Sequence, residues 1–589
     1  MYGVSELRIE ADAGLGARSW TPSPWRSAWG YARRVRYLWS VVAIALFAGC
    51  GASPAVPSTK PAAEASYQLV LANGRVVDGT GAPWFRADVG IVGDRIAAIG
   101  DLSAARAERR IDVHGEMIAP GFIDMLGQSE LHVLIDNRVE SKIRQGITTE
   151  ITGEGNLAGP TNAVLDAEAK PFLDQFGLTV DWRDLAGYRR RLETRGSAIN
   201  LGLYVNAASV RGVVLGLGKV EPTALQVAEM ERVVATAMSQ GALGLSSALI
   251  YPPGSYAKTE ELIAMAKVAA RHGGIYATHM RDEADNEMAA LEETFRIARE
   301  AKIAVEIFHL KAAGKNNWGK MKDIAARIES ARAEGIDVTA DMYPYEAAAN
   351  GLMANVPGWA ADGGIDKMIA RFHDRADRER IRKELWRSPI AKEDPADILL
   401  ASSPNPNLQR YMGKRLTQVA TDMGRTPEDA LLDLVEADRG ATTVVRFLMN
   451  EDDVSFGLSL PWVSLDCDAP GQATDGPFAK ELTHPRAFGS APRLLGHYAR
   501  DRRLFSVEEA VRKMTSLPAR RMRLVDRGLL RPGMAADIAV FDAARVIDRA
   551  TFDAPLRYPE GIDWVIVNGQ VVLDQGKLTD ARPGRFLTH

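Results

Sequence analysis

"TEELIAMAKVAARHGGIYATHM", residues 259–280, sets an amphipathic helical stretch before a short apolar run that stops at a histidine. A helix followed by a strand-like run without alternation is the repeating unit of a parallel sheet covered by helices. The next run of this kind, "AVEIFHLK" (304–311), also stops at a histidine. Working outward, comparable runs are "EMIAPGFIDM" (116–125), "TTEITGEG" (148–155), "INLGLYVNAA" (199–208), "ALGLSSALI" (242–250), "DVTADMYPY" (337–345) and "WVSLDCDA" (462–469). Helical patterns such as "TALQVAEMERVVATAMSQG" (223–241) lie between them. Eight strands alternating with helices give the expectation of an α/β fold, a (β/α)8 TIM-like barrel over 117–525.

One interval is too long for a simple crossover. Residues 346–460 separate the last two strands and contain the helix-like "DKMIARFHDRADRERIRKEL" and "TPEDALLDLVEADR", so a helical insertion capping the barrel mouth is expected there. Outside the barrel the pattern changes to short β-like segments. "YQLVLANGRVVDG", "ADVGIVGDRIAAIG" and "RRIDVHGEMIAPG" stand before it; "GMAADIAVFD" and "IDWVIVNGQVVLDQGK" follow it. The pairs Asn73-Gly74 and Gly93-Asp94 suit hairpin turns. These segments predict a small β-sandwich assembled from both ends of the chain, 68–116 and 526–589.

Hydrophobic residues make up 46% and charged residues 25%, and the formal net charge is −4. That is a globular profile with no basic stripe, which argues against a nucleic-acid partner. Two cysteines, Cys50 and Cys467, exclude a disulfide framework and a thiolate metal cluster. Arg33, Arg34 and Arg36 precede the apolar stretch 38–49 and Cys50. Residues 1–49 therefore read as a secretory signal peptide. Its ending, "LFAGC", resembles a bacterial lipobox, which implies a lipidated Cys50 and an exported, periplasmic or membrane-anchored protein. The Pro/Ala/Ser-rich residues 50–67 read as a flexible tether.

In a barrel of this type catalytic side chains stand at the C-terminal strand ends. The polar residues ending these runs are Asp124, Glu154, His279, His309, Tyr343 and Asp468, and basic residues stand two positions beyond each histidine, Arg281 and Lys311. Imidazole nitrogens and carboxylate oxygens suit zinc or a similar divalent ion. Neighbouring strands lie about 5 Å apart, close enough for His279, His309 and Glu154 to share it.

With "QGITTEITGEG", "GALGLSSALIYPPG", "ATHMRDE", "FHLKAAG", "DMYPY", "HPRAFGSAPRLLGHYAR" and "GLLRPGMAADIAVFD" in this order, the chain from Tyr67 to Leu587 resembles the amidohydrolase superfamily in its D-aminoacylase (N-acyl-D-amino-acid deacylase) branch. The resemblance implies one tightly held zinc on Glu154, His279 and His309, with Asp468 as general base. It implies that Lys311, Tyr343 and Arg486 bind the substrate's carboxylate, and Arg281, two residues past His279, is expected as a further substrate-binding residue. The first strand departs from the pattern. Where relatives in the superfamily carry a His-x-His pair for a second metal, this sequence has Leu126 and Gln128. A single metal is expected in consequence, with Glu130 as a residue able to turn towards it.

Three functions are consistent with this reading. The leading one is hydrolysis of a non-peptide linear amide C–N bond in an N-acyl amino acid or related small molecule. The others are a cyclic-amide hydrolase of the hydantoinase or dihydropyrimidinase kind, and a lipid-anchored binding protein without turnover.

Overall fold

The computed structural model describes residues 66–155, 157–387 and 393–588. The signal peptide, Cys50 and the tether up to residue 65 lie outside the described residues. Strand Ser66–Val76 begins inside the last two residues of the expected tether.

Eight parallel strands form the barrel. They are β1 (Phe122–Gly127), β2 (Ile147–Thr152), β3 (Asn200–Leu203, resumed at Val205–Asn206), β4 (Gly244–Ala248), β5 (Ile275–His279), β6 (Val305–Ile307), β7 (Val338–Met342) and β8 (Val463–Leu465). The ring closes where Gly127 bridges Ala469 and the Asp468 N–H donates to the Leu126 carbonyl at 2.8 Å. Every residue of β5 is buried, as a strand covered on both faces requires. Helix Thr259–Arg271 turns Leu262, Met265, Ala266 and Ala269 inward and carries Glu260 and Glu261 in its first turn, where acidic groups complement the helix dipole. Gly274 then lets the chain fold back: a Cβ there would stand 2.7 Å from Met238 Cε and 2.9 Å from Gly244 Cα.

The run "EMIAPGFIDM", read as one strand, is two. Met117–Pro120 pairs antiparallel with Ile538–Phe541 in the terminal sheet, and β1 starts after Gly121. A Cβ on Gly121 would fall 2.2 Å from Thr148 Oγ1, so only glycine fits where the chain passes between sheets. The terminal sheet has nine strands and joins both ends of the chain around one core containing Leu71, Val89, Ile118, Ile538 and Trp564. Gly93-Asp94 is a hairpin turn, as expected. Asn73-Gly74 is not: it lies inside Ser66–Val76, where the register shifts and Asn73 adopts φ 63°. It is a bulge.

The insertion between β7 and β8 is mixed rather than helical. Strands Ala348–Gly351, Thr443–Arg446 and Ile398–Ser402 form an antiparallel sheet with Thr443–Arg446 in the middle. Helices Ile365–His373, Arg375–Glu384, Leu416–Met423 and Pro427–Asp438 pack on it around Phe372, Leu400, Leu431 and Val435. Helix Glu451–Ser459 returns the chain to the barrel wall.

Asp124, one of the polar strand ends, serves closure of the barrel. Its Oδ2 lies 2.6 Å from Lys142 Nζ and its Oδ1 accepts from the Cys467 N–H at 2.9 Å. Lys142 is completely buried, also reaches Glu150 at 3.2 Å, and donates to the Ala469 carbonyl at 2.7 Å. Lys142→Met leaves two carboxylates without their cation and is expected to cost about 3–5 kcal/mol, read as a lower midpoint in urea unfolding.

Candidate metal centre and substrate site

Glu154, His279 and His309 converge at the C-terminal mouth of the barrel. All are buried, and one ligand atom from each lies within 4.8 Å of the others. His279 ends β5, His309 follows β6 by two residues, and Glu154 follows β2 by two. His309 takes a left-handed backbone (φ 35°), fixed by its N–H donating to Asp341 Oδ1 at 2.5 Å. Asp468 also has a left-handed backbone, at φ 40°. Such conformations cost about 1–3 kcal/mol each and persist where the surroundings impose them.

The histidines present different nitrogens to Glu154. His279 Nδ1 is 2.6 Å and His309 Nε2 is 3.5 Å from Glu154 Oε1. Their other nitrogens face Glu283: His279 Nε2 at 3.4 Å and His309 Nδ1 at 3.0 Å. Burial would raise the Glu154 carboxyl, but hydrogen bonds and charge from both histidines hold it well below the usual carboxylate range. Burial and the Lys311 ammonium push His309 down; Glu283 and Glu154 outweigh them and raise it to about 10. Two carboxylates against two imidazoles thus make an enclosure that draws positive charge. A buried carboxylate oxygen and two imidazole nitrogens at this spacing fit a zinc-type divalent ion.

Glu283 escaped the sequence reading, although it sits in the quoted "ATHMRDE". Its carboxylate meets both histidines and lies 2.9 Å from Lys311 Nζ. Burial alone would raise this carboxyl; the charges of His279, Lys311 and His309 keep it well below its usual range. Carboxylates that accept the second nitrogen of a metal-binding histidine fix its tautomer and ring orientation. Glu283→Gln is therefore expected to weaken metal binding about 10- to 100-fold, measured by competition with a chelator.

The positions of the missing His-x-His pair diverge. Leu126 is fully buried in an apolar cluster with Met125, Ile151 and Phe308. Gln128 faces the site, where its Nε2 donates to Glu154 Oε2 at 2.7 Å and to Asp468 Oδ1 at 3.2 Å. An amide NH2 has donors and no metal-binding lone pair, so through it Gln128 links the two carboxylates. Glu130 does not turn inward. Its Oε2 accepts from Thr152 Oγ1 at 2.5 Å, and burial raises the carboxyl to about 7.

Asp468, Arg486, Tyr343 and Lys311 join the cluster around a cavity of about 450 Å³. Arg486 NH2 pairs with Asp468 Oδ2 at 2.9 Å, and its guanidinium lies over the Tyr343 ring at 4.5 Å. Arg486 Nε and NH1 and the Tyr343 hydroxyl are buried and have no hydrogen-bond partner among the described residues. Arg281 is not brought to the site. It pairs with Glu293 at 2.8 Å and donates to the Ser255 and Ala257 carbonyls. The insertion supplies part of the cavity wall through Asn350, Ser402 and Thr443.

The chain is similar over most of its length to proteins named for acylase activity. Residues 473–573 match the amidohydrolase family model. D-aminoacylase of Alcaligenes xylosoxydans xylosoxydans is 37% identical over 521 residues, 88% of this chain and 97% of that protein. A solved D-aminoacylase, described by one-metal activation and second-metal attenuation at its binuclear centre, superposes with a TM-score of 0.73 at 35% identity, over 89% of this chain and 100% of its own. N-acyl-D-glutamate deacylase of Bordetella bronchiseptica, solved with zinc and a phosphonate mimic of the tetrahedral intermediate, gives 0.76 at 32% identity over the same shares. The protein belongs to the amidohydrolase family, in its D-aminoacylase branch.

Proposed function

We propose that this protein is an N-acyl-D-amino-acid deacylase that works with one divalent metal ion, zinc in the first instance. The observation that carries the reading is the set of partnerless buried donors, Tyr343 Oη and Arg486 Nε and NH1, beside the Glu154–His279–His309 cluster. Buried donors left unpaired are costly, and a substrate carboxylate is the group that pairs them. The relatives named above for deacylation of D-amino acids support the same substrate class.

Glu154, His279 and His309 would hold the ion, which supplies Lewis acidity towards the amide carbonyl and the attacking water. Arg486 and Tyr343 grip the α-carboxylate, with Lys311 as the third cation or donor at that end. Asp468 takes a proton from water and returns it to the departing nitrogen. Both Asp468 oxygens already accept one hydrogen bond, and each keeps a further lone pair for this task. Gln128 holds Asp468 and Glu154 at a fixed separation without adding charge. The Arg-flanked leader and Cys50 support an exported, lipid-anchored location for this activity.

The test pairs elemental analysis with amine release from N-acyl-D-amino acids, N-acyl-L-amino acids and a hydantoin. The expected result is about one equivalent of divalent metal and turnover of the D-series. Full activity without metal, or ring opening of the hydantoin with no N-acyl amino acid cleaved, defeats the reading.

A further inference from the structure

We propose that the acyl group this enzyme removes is a linear alkyl chain, housed in a second and larger cavity behind Tyr251; the inference rests on the deacylase reading above. This cavity measures about 710 Å³ and lies between the loops after β4 and β5 and the insertion. Its wall includes Leu217, Leu249, Met353, Val356, Ile365 and Met368.

The charged residues in that wall are already committed. Arg281 and Glu293 bind each other at 2.8 Å. Asp282 accepts from the Ala284 and Asn286 N–H groups at 2.8 and 3.1 Å and from Asn286 Nδ2 at 3.1 Å. The Glu168 carboxylate accepts from the Ile365 N–H. What remains for a ligand is mainly apolar, so the recognised group is hydrocarbon.

The two cavities share Ile250, Tyr251 and Gly351. Tyr251 stands edge-on to the His279 ring at 5.4 Å and accepts from Asn350 Nδ2 at 3.2 Å. Gly351, shared by both walls, puts no side chain into this partition: a Cβ there would meet only Met353 Cγ, at 3.7 Å.

Direction around the barrel says which part of the substrate enters. The carboxylate-binding groups come from beyond β6 (Lys311), β7 (Tyr343) and β8 (Arg486). The larger cavity lies on the β4–β5 side, with Leu249 to Ser255 and Arg281 to Glu293 in its wall. An amide centred on the metal cluster, with its carboxylate towards β6–β8, directs the acyl carbon chain towards β4–β5.

The experiment measures kcat/KM for N-acyl-D-alanines from acetyl to dodecanoyl, alongside N-acetyl-D-amino acids of increasing side-chain length. The expected result is a rise of about four-fold per methylene of the acyl group until the cavity is filled. Ala289→Trp and Met353→Trp, two substitutions in the wall outside the catalytic cluster, should erase that rise and leave N-acetyl turnover unchanged. If one variant fails to fold, the other and the parent series decide. N-acetyl substrates cleaved with no dependence on acyl length overturn the inference and leave the deacylase reading standing. A rise that follows the side chain instead of the acyl group overturns it as well. No hydrolysis of any N-acyl amino acid, short or long, ends both.

Discussion

Asp468→Asn is expected to lower kcat by about 10²- to 10⁴-fold, the usual contribution of a positioned general base, with metal content unchanged. The amide keeps the size of the carboxylate and cannot accept a proton at working pH. The substitution also touches Arg486, which pairs with Asp468 at 2.9 Å, so a rise in KM is expected alongside. The division between the two constants is decisive. If Asp468 served only to aim Arg486, KM would rise and kcat would hold. Steady-state kinetics with metal analysis on the same sample separates these outcomes, and an unchanged kcat would remove Asp468 from the chemistry.

The second large effect is expected at the histidines. His279→Ala and His309→Ala should each strip the metal and reduce activity by at least about 10³-fold, because a bound ion supplies several kcal/mol of charge stabilisation. The two differ from Asp468→Asn in a measurable way: they lose metal and turnover together. Both rings also contact Glu283, so either deletion leaves a carboxylate facing a void and some loss of stability accompanies the loss of metal. A His309→Ala protein that retains its full complement of ion would overturn the ligand set.

The barrel was readable because eight short strand-like runs alternate with amphipathic helical stretches, although several runs carry polar residues, as in "ITTEIT" of β2 and "VTADM" of β7. Their polar ends then marked Glu154, His279, His309, Tyr343 and Asp468. An apolar run does not show a change of sheet, so the step at Gly121 between the terminal sheet and β1 was hidden. The short strands Ile398–Ser402 and Thr443–Arg446 were lost among stronger helical patterns in the insertion. Arg281 and Lys311 illustrate a different limit. Both stand two residues past a histidine, yet Lys311 lies 2.8 Å from His309 Nδ1 while Arg281 faces Glu293. His309 has a left-handed backbone and His279 does not, so equal spacing leads the chain in different directions. Glu283 lay in a charged loop, "HMRDE", where nothing in the sequence distinguishes a carboxylate that sits beside two imidazoles from a solvated one.

Strand Met117–Pro120 finds its neighbour at Ile538–Phe541, and β3 is flanked by Phe586–Leu587, far along the chain. Segments far apart along the chain must therefore meet before their backbone groups are matched. Contacts so distant along the chain are slow to form and leave strand edges open in the meantime. The flank of β3 stays an open edge until residues 586–587 reach it, although the ring of eight strands closes without them.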